Sequence, residues 1–251
     1  MTADDDAAAD RLEPVPEDWQ RALAVAAHPD DLEYGAASAI ARWTDQGKQV
    51  VYLLVTDGEA GIDGMAPEQA GPLRRGEEIA SAAEVGVDTV DFLGLPDGLV
   101  EDDVHTRRLL AASIRRHRPE VLICPNFRES WGMPSWNHVD HRKVGVALLD
   151  AARDAGNRWI FTDLVEDEGL EPWSGVRFVA FSGSPQATHA VDISEHLDRG
   201  IASLEQHRVY LDALPPGTMG TDPEEMLRGF GEQAGPRLGV DLAVPFEVIP
   251  V

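Results

Sequence analysis

The chain has 251 residues, with 43% hydrophobic and 26% charged positions, which fits a globular protein with one substantial core. Its 45 acidic against 21 basic residues leave a formal net charge of −24, which argues against nucleic acid or an anionic membrane surface as partner, since both would repel it. The single cysteine, Cys124, excludes an intrachain disulfide, and no apolar run approaches the roughly 18 residues of a membrane span.

Residues 1–20 are polar, acidic and proline-containing, and read as a flexible acidic N-terminal arm. They carry neither a basic n-region nor an apolar h-region, so a secretory signal is not expected and the cytoplasm is the default location. Residues 21–251 read as a single domain. Arg21–Ala27 is a first strand, followed by a helix over Leu32–Gln46 that Gly47 stops. Gln49–Val55, apolar and rich in β-branched residues, is a second strand suited to burial on both faces. Arg74–Val85 is helical, Thr89–Leu93 a third strand, and Asp102–His117 a helix that Arg118-Pro119 breaks before the strand Glu120–Cys124. His138–Ala155 reads as a helix, Val176–Phe181 and His189–Val191 as strands, and Ser194–Leu214 as one long helix. A Pro/Gly-rich stretch from Pro215 to Gly220, a short acidic helix and a strand over Ala243–Ile249 complete the chain. The βαβαβα order predicts an α/β protein: a Rossmann-like three-layer α/β/α fold with a mostly parallel sheet.

Two clusters carry ligand-grade chemistry. His28-Pro29-Asp30-Asp31 directly follows the first strand, where open α/β sheets usually bind ligands. Imidazole is a common metal ligand, Pro29 fixes the backbone behind it, and the adjacent carboxylates diverge, so that one is free to bind metal and the other to face substrate. The competing reading is that Asp30 or Asp31 caps the helix starting at Leu32. In the second cluster, His138-Val139-Asp140-His141, the i, i+3 spacing puts both histidines on one face of a helical turn. Asp140 between them is placed to orient a histidine, and Asn137 to cap the helix. Together the clusters supply the two or three His/Asp ligands of a catalytic metal, with acids and bases to spare. Cys124 ends the apolar run Val121-Leu122-Ile123 and reads as a small buried hydrophobe rather than a nucleophile.

These motifs, with Thr56-Asp57-Gly58-Glu59 and Phe92-Leu93-Gly94-Leu95-Pro96-Asp97-Gly98 between them, resemble the LmbE-like (PIG-L) zinc deacetylases. The resemblance runs from about Arg21 to Leu214. It implies a hydrolase of linear amide C–N bonds that removes the acetyl group from a small N-acetylglucosaminyl conjugate or related glycoside. It implies Zn2+, with Fe2+ or another divalent ion as alternatives, held by His28, Asp31 and His141. It also implies Asp30 as the general base, His138 as the stabiliser of the oxyanion and proton donor to the leaving amine, and Asp140 as the partner of His138. Arg74 falls where the family has a substrate-binding arginine, with Arg75 beside it as an alternative register, and Asp97 is a candidate for sugar hydroxyls. The sequence departs from the family in two places. Leu32 separates Asp31 from the acid Glu33, which reads as structural, and Trp136 stands where some members carry a tyrosine. Trp131 and Trp136 are candidates for stacking on a sugar or aromatic aglycone, or for anchoring their loop. Two rival readings keep the same site: an amidase cleaving a thiol-conjugate amide, and a catalytically silent glycan- or metal-binding relative. Oligomeric state is not legible.

Overall fold

The strand Arg21–Ala26 explains why the sheet lies in the middle of the molecule. Ala22, Ala24 and Ala26 enter one buried apolar cluster, while Leu23, Val25 and the following Ala27 enter a second. In Gln49–Thr56 the same alternation sends Val50, Tyr52 and Leu54 one way and Val51, Leu53 and Val55 the other. Strands apolar on both faces require a helical layer on each side.

The protein is described here by a computed structural model covering residues 11–132, 134–215, 218 and 220–251. The strands are β1 (Glu13–Pro14), β2 (Arg21–Ala26), β3 (Gln49–Thr56), β4 (Val90–Leu95), β5 (Val121–Pro125), β6 (Phe178–Ser182), β7 (His189–Asp192) and β8 (Ala243–Pro250). The helices are α1 (Ala37–Asp45), α2 (Pro67–Glu84), α3 (Val104–His117), α4 (Val139–Gly156), α5 (Thr162–Glu166), α6 (Leu197–Leu204), α7 (Arg208–Ala213) and α8 (Pro223–Leu238). One eight-stranded sheet has the order β1-β7-β8-β6-β5-β2-β3-β4. Only β8 runs antiparallel to its neighbours, β6 and β7, so the sheet is mostly parallel as expected. Helices α1, α2, α6 and α8 contribute to the first cluster, and α3, α4 and α5 to the second, completing the three layers.

From β2 the chain builds outward through β3 and β4, then crosses back to place β5 on the other side of β2. The carboxyl ends of β2 and β5 therefore flank the topological switch point, where a crevice opens in a doubly wound sheet. His28 leaves β2 at that edge, and the loop after β5 leads to His138.

Several expectations are revised. Residues 11–20 are docked rather than loose: Glu13–Pro14 pairs with His189–Ala190, and Leu12, Val15 and Trp19 are buried. Residues 1–10 lie outside the described residues. The helix expected from Leu32 begins only at Ala37, after a series of turns. The Arg74 helix starts earlier, at Pro67, a residue suited to a first helical turn because its missing N–H loses nothing there. The long helix over Ser194–Leu214 is two helices, α6 and α7, because the chain turns at Glu205–His207 and carries His207 into full burial. The acidic helix is also longer than expected, running through Pro236 to an αL cap at Gly239. Pro216, Gly217 and Met219 of the Pro/Gly-rich stretch fall outside the described residues. Among the described residues no helix is long and apolar enough to cross a membrane.

Candidate metal centre and active site

The turn after β2 is built to present side chains rather than to start a helix. Asp30 has φ 91°, in the left-handed region that a residue with a Cβ seldom occupies. Its carbonyl accepts from Glu33 N and Tyr34 N at 3.0 and 3.1 Å. Neither aspartate caps α1, whose N-cap Ala36 has no side-chain bond, so the capping alternative fails. Instead the Asp31 carboxylate turns back, accepting from His28 N at 2.8 Å and approaching His28 Nδ1 at 3.4 Å.

The second cluster meets the first across 112 residues. His28 Nε2 lies 3.1 Å from Asp140 Oδ2 and 3.1 Å from Asp97 Oδ1. Carboxylates accept, so Nε2 carries the proton and the Nδ1 lone pair is left free. His141 is fixed in the opposite sense. Asn137 Nδ2 donates to the carbonyls of Asn126 and Arg128, which leaves its Oδ1 to accept from His141 Nδ1 at 2.9 Å. The His141 Nε2 lone pair then faces Asp31 Oδ1 at 2.9 Å and His28 Nδ1 at 3.3 Å. Two imidazole nitrogens, each with its other ring nitrogen engaged elsewhere, and one carboxylate thus converge on one point.

That donor set fits a divalent cation. A tetrahedral ion with bonds of about 2.0–2.1 Å holds its ligand atoms about 3.3 Å apart. The His138 ring lies beside this set, with a ring nitrogen within 4.8 Å of those of His28 and His141, and His28, Asp97 and Asp140 form a neighbouring cluster of the same kind. Without a cation, the field of the site is borne by protons. Burial disfavours charge on His28, but Asp31 and the bonds to Asp140, Asp31 and Asp97 outweigh it and raise its pKa well above 6.5. Burial likewise opposes the Asp31 carboxylate, yet His141 and His28 hold it well below the usual range. A cation takes the place of those protons, because ligands bind as neutral imidazole and carboxylate.

The other expected residues divide. Asp30 is buried beside Asp31; burial pushes its carboxyl up to about 6, against the pull of the Arg74 guanidinium and with the push of Asp31. Arg74 is 2% exposed, with Nη2 3.1 Å from Asp30 Oδ2 and bonds to the carbonyls of Gly58 and Pro29. Arg75 instead points outward, with Nη1 3.2 Å from Asp57 Oδ1. Asp97 sits in the centre, bonded to His28 and accepting from Ala60 N, while Glu59 accepts from Asp97 N. His138 caps α4 through its own ring, Nδ1 accepting from Asp140 N at 3.2 Å, and its pKa is lowered by burial and by His28 and His141.

One pairing differs from expectation. The Asp140 carboxylate serves His28, not His138, and is held by Gly98 N at 2.7 Å and Val100 N at 3.2 Å. Trp136 is 68% exposed with Arg142 over its ring, whereas Trp131 stands edge-on to His141 with ring centroids 6.1 Å apart. Of their loop, Met133 lies outside the described residues. Cys124 is buried and its thiol pushed well up by that burial, consistent with a packing role. The sequence reading did not pick out Asn137 as the residue that orients His141, nor the buried Glu78 and His207. Glu78 lies one helical turn after Arg74, a spacing that places both on one face of α2. His207 sits in the polar run Glu205-Gln206-His207-Arg208, which gives no sign of burial.

Known proteins resemble this chain in sequence and in architecture. Residues 23–152, just over half of the chain, match the family model described as PIG-L, GlcNAc-PI de-N-acetylase. A diacetylchitobiose deacetylase from Thermococcus kodakarensis is 33% identical over 196 residues, covering 76% of this chain and 70% of that protein. A 1D-myo-inositol 2-acetamido-2-deoxy-α-D-glucopyranoside deacetylase from a Nocardioides species is 25% identical over 265 residues, covering 78% and 85%. The solved N,N'-diacetylchitobiose deacetylase of Pyrococcus horikoshii superimposes with a TM-score of 0.82 over 93% of this chain and 85% of that one, and at 24% identity it bears on the fold alone. With two histidines and an aspartate converging at the switch point of such a sheet, the protein belongs to the PIG-L (LmbE-like) family and is a hydrolase of amide bonds.

Proposed function

We propose that the protein removes the acetyl group of a small N-acetylglucosaminyl conjugate, with Zn2+ held by His28 Nδ1, an Asp31 carboxylate oxygen and His141 Nε2. The observation that carries this reading is the convergence of those groups beside a buried Asp30: His28 Nδ1 and His141 Nε2 lie 3.3 Å apart, and the two oxygens of Asp31 lie 3.4 Å from the first and 2.9 Å from the second. A divalent ion so held supplies Lewis acidity toward the amide carbonyl and toward water. The Thermococcus and Nocardioides relatives, both named as deacetylases of acetamido sugars, support the substrate class.

The chain's own groups account for the proton traffic. Asp30 takes a proton from the attacking water as its oxygen bonds to the carbonyl carbon; burial raises the Asp30 carboxyl above the ordinary aspartate value, which favours the base role, and a neighbouring cation offsets part of that rise. Arg74 keeps that carboxylate from rotating away. His138, with Nδ1 occupied as an acceptor, carries its proton on Nε2 and donates it toward the developing oxyanion. When the C–N bond breaks, the leaving nitrogen takes up the proton that Asp30 received from water, so the products are the free amine and acetate while His138 keeps its Nε2 proton. Asp97 accepts from His28 Nε2 and is the carboxylate assigned to a sugar hydroxyl in this reading. Trp131 and Trp136 offer ring faces for the sugar or its aglycone.

The test is acetate release from N,N'-diacetylchitobiose and from N-acetylglucosaminyl-inositol, using protein loaded with one equivalent of zinc. Turnover that disappears in His141→Ala supports the reading. Fully loaded wild-type protein that releases acetate from no N-acetylated sugar overturns it.

A further inference from the structure

Asp30 holds a backbone conformation that side-chain-bearing residues keep only when their surroundings over-determine it. Two residues of one helical face supply those surroundings. Arg74 grips the Pro29 carbonyl and the Asp30 carboxylate, and Glu78, four residues on, accepts the Asp30 N–H on Oε2 at 3.1 Å. Glu78 is itself fully buried, and its Oε1 has no hydrogen-bond partner. Behind it His207 Nε2 stands 3.6 Å from Glu78 Oε2 and 3.7 Å from Glu33 Oε2, and His207 is also fully buried. The outer oxygen of Glu33 is occupied by Ser81 Oγ at 2.8 Å.

A buried glutamate that is only half satisfied is costly, so its place under the Asp30 peptide calls for a reason. We propose that Glu78, backed by His207, is the positioning residue of Asp30, fixing the peptide so that the carboxylate points at the reacting centre. The inference rests on Asp30 being the base. Glu78 touches no substrate; it acts only through the Asp30 N–H. What that N–H needs is an acceptor at one place, whatever its charge. Burial and the neighbouring Glu33 push the Glu78 carboxyl well up, so the native acceptor need not be ionised.

Two variants separate position from charge. Glu78→Gln keeps an acceptor at the same reach, whereas Glu78→Asp keeps the carboxylate but withdraws it by one methylene. The expected result is that Glu78→Asp lowers kcat about 100-fold, the scale of a catalytic group displaced by about 1 Å, with KM and bound zinc little changed. Glu78→Gln is expected to stay within about 5-fold of wild type, well short of that 100-fold loss. In an Asp30→Asn background, Glu78→Asp should cost nothing further, because two residues acting as one unit are not additive. Hydrogen exchange of the Asp30 amide in zinc-free protein gives a readout that needs no substrate. Protection is expected in wild type and Glu78→Gln and is expected to be lost in Glu78→Asp, with the other protected amides of α2 unchanged. Equal kcat in wild type and Glu78→Asp, additive effects with Asp30→Asn, or an unprotected Asp30 amide in wild type would each overturn the proposal. So would a second equivalent of bound metal that Glu78→Gln removes. If no acetamido sugar is turned over, the deacetylase reading fails by itself, and the exchange experiment still decides whether Glu78 holds Asp30.

Discussion

Asp140 Oδ2 lies 3.1 Å from His28 Nε2, and this contact ties the second motif to the first across 112 residues. It sets the tautomer of His28 and aims Nδ1 at Asp31 and His141. Replacing such an outer partner typically weakens metal binding about 10- to 100-fold. Asp140→Asn, which keeps shape but not charge, should therefore bind zinc in that range below wild type in a chelator competition. Unchanged affinity would mean that Asp97 alone suffices to orient the ring.

His141→Ala removes one of three converging donors and should leave protein that retains no zinc after desalting, where wild type holds one ion per chain. Metal content by plasma mass spectrometry checks both values. Folding should survive, because the His141 side chain is 15% exposed and is not part of either apolar cluster.

Asp30→Asn should keep its zinc and lose activity by roughly 10²–10⁴-fold, the usual worth of a positioned base. Asparagine fits the space and leaves an oxygen for Arg74, so lost turnover is not lost structure. A loaded Asp30→Asn enzyme with wild-type kcat would remove Asp30 from the proton path.

The pH profile follows from the same carboxyl. A base works ionised, so kcat/KM should climb with pH through the Asp30 titration and level off above it. In the metal-free site burial raises that titration to about 6, and a nearby cation favours the anion and moves it lower. The acid limb should thus fall no higher than about 6 and should vanish from the residual activity of Asp30→Asn. A limb that persists in that variant belongs to another group.

The two loop tryptophans should behave differently in a thermal melt. Trp136 is 68% exposed, so Trp136→Ala should leave Tm nearly unchanged, and any rise in KM then reports substrate contact. Trp131 packs against Gly183 and stands beside His141, so Trp131→Ala should raise KM and lower Tm together. A Trp131→Ala protein with wild-type KM would make that ring an anchor only.

Much of this was legible because it is local. Alternating apolar runs specify strands buried on both faces, and the βαβ order then specifies a parallel sheet with helical layers, since handedness and crossover length leave few other arrangements. His28-Pro29-Asp30-Asp31 at the end of one strand and His138-Val139-Asp140-His141 at the start of one helix could be read as two clusters of ligand-grade groups from spacing. The choice of Asp31 over Asp30 as the ligand came from the family resemblance. The polar periodicity of Ser194–Leu214 concealed the break at His207, because a buried polar residue is placed by its partners and not by its neighbours in sequence. Only the tertiary structure brings Asp140 to His28, Asn137 to His141, and Arg74 and Glu78 to Asp30. Each of these is a polar contact between distant segments. Such contacts depend on side-chain direction and on which carboxylate reaches which donor, and these are decided by the packed fold rather than by any pattern along the chain.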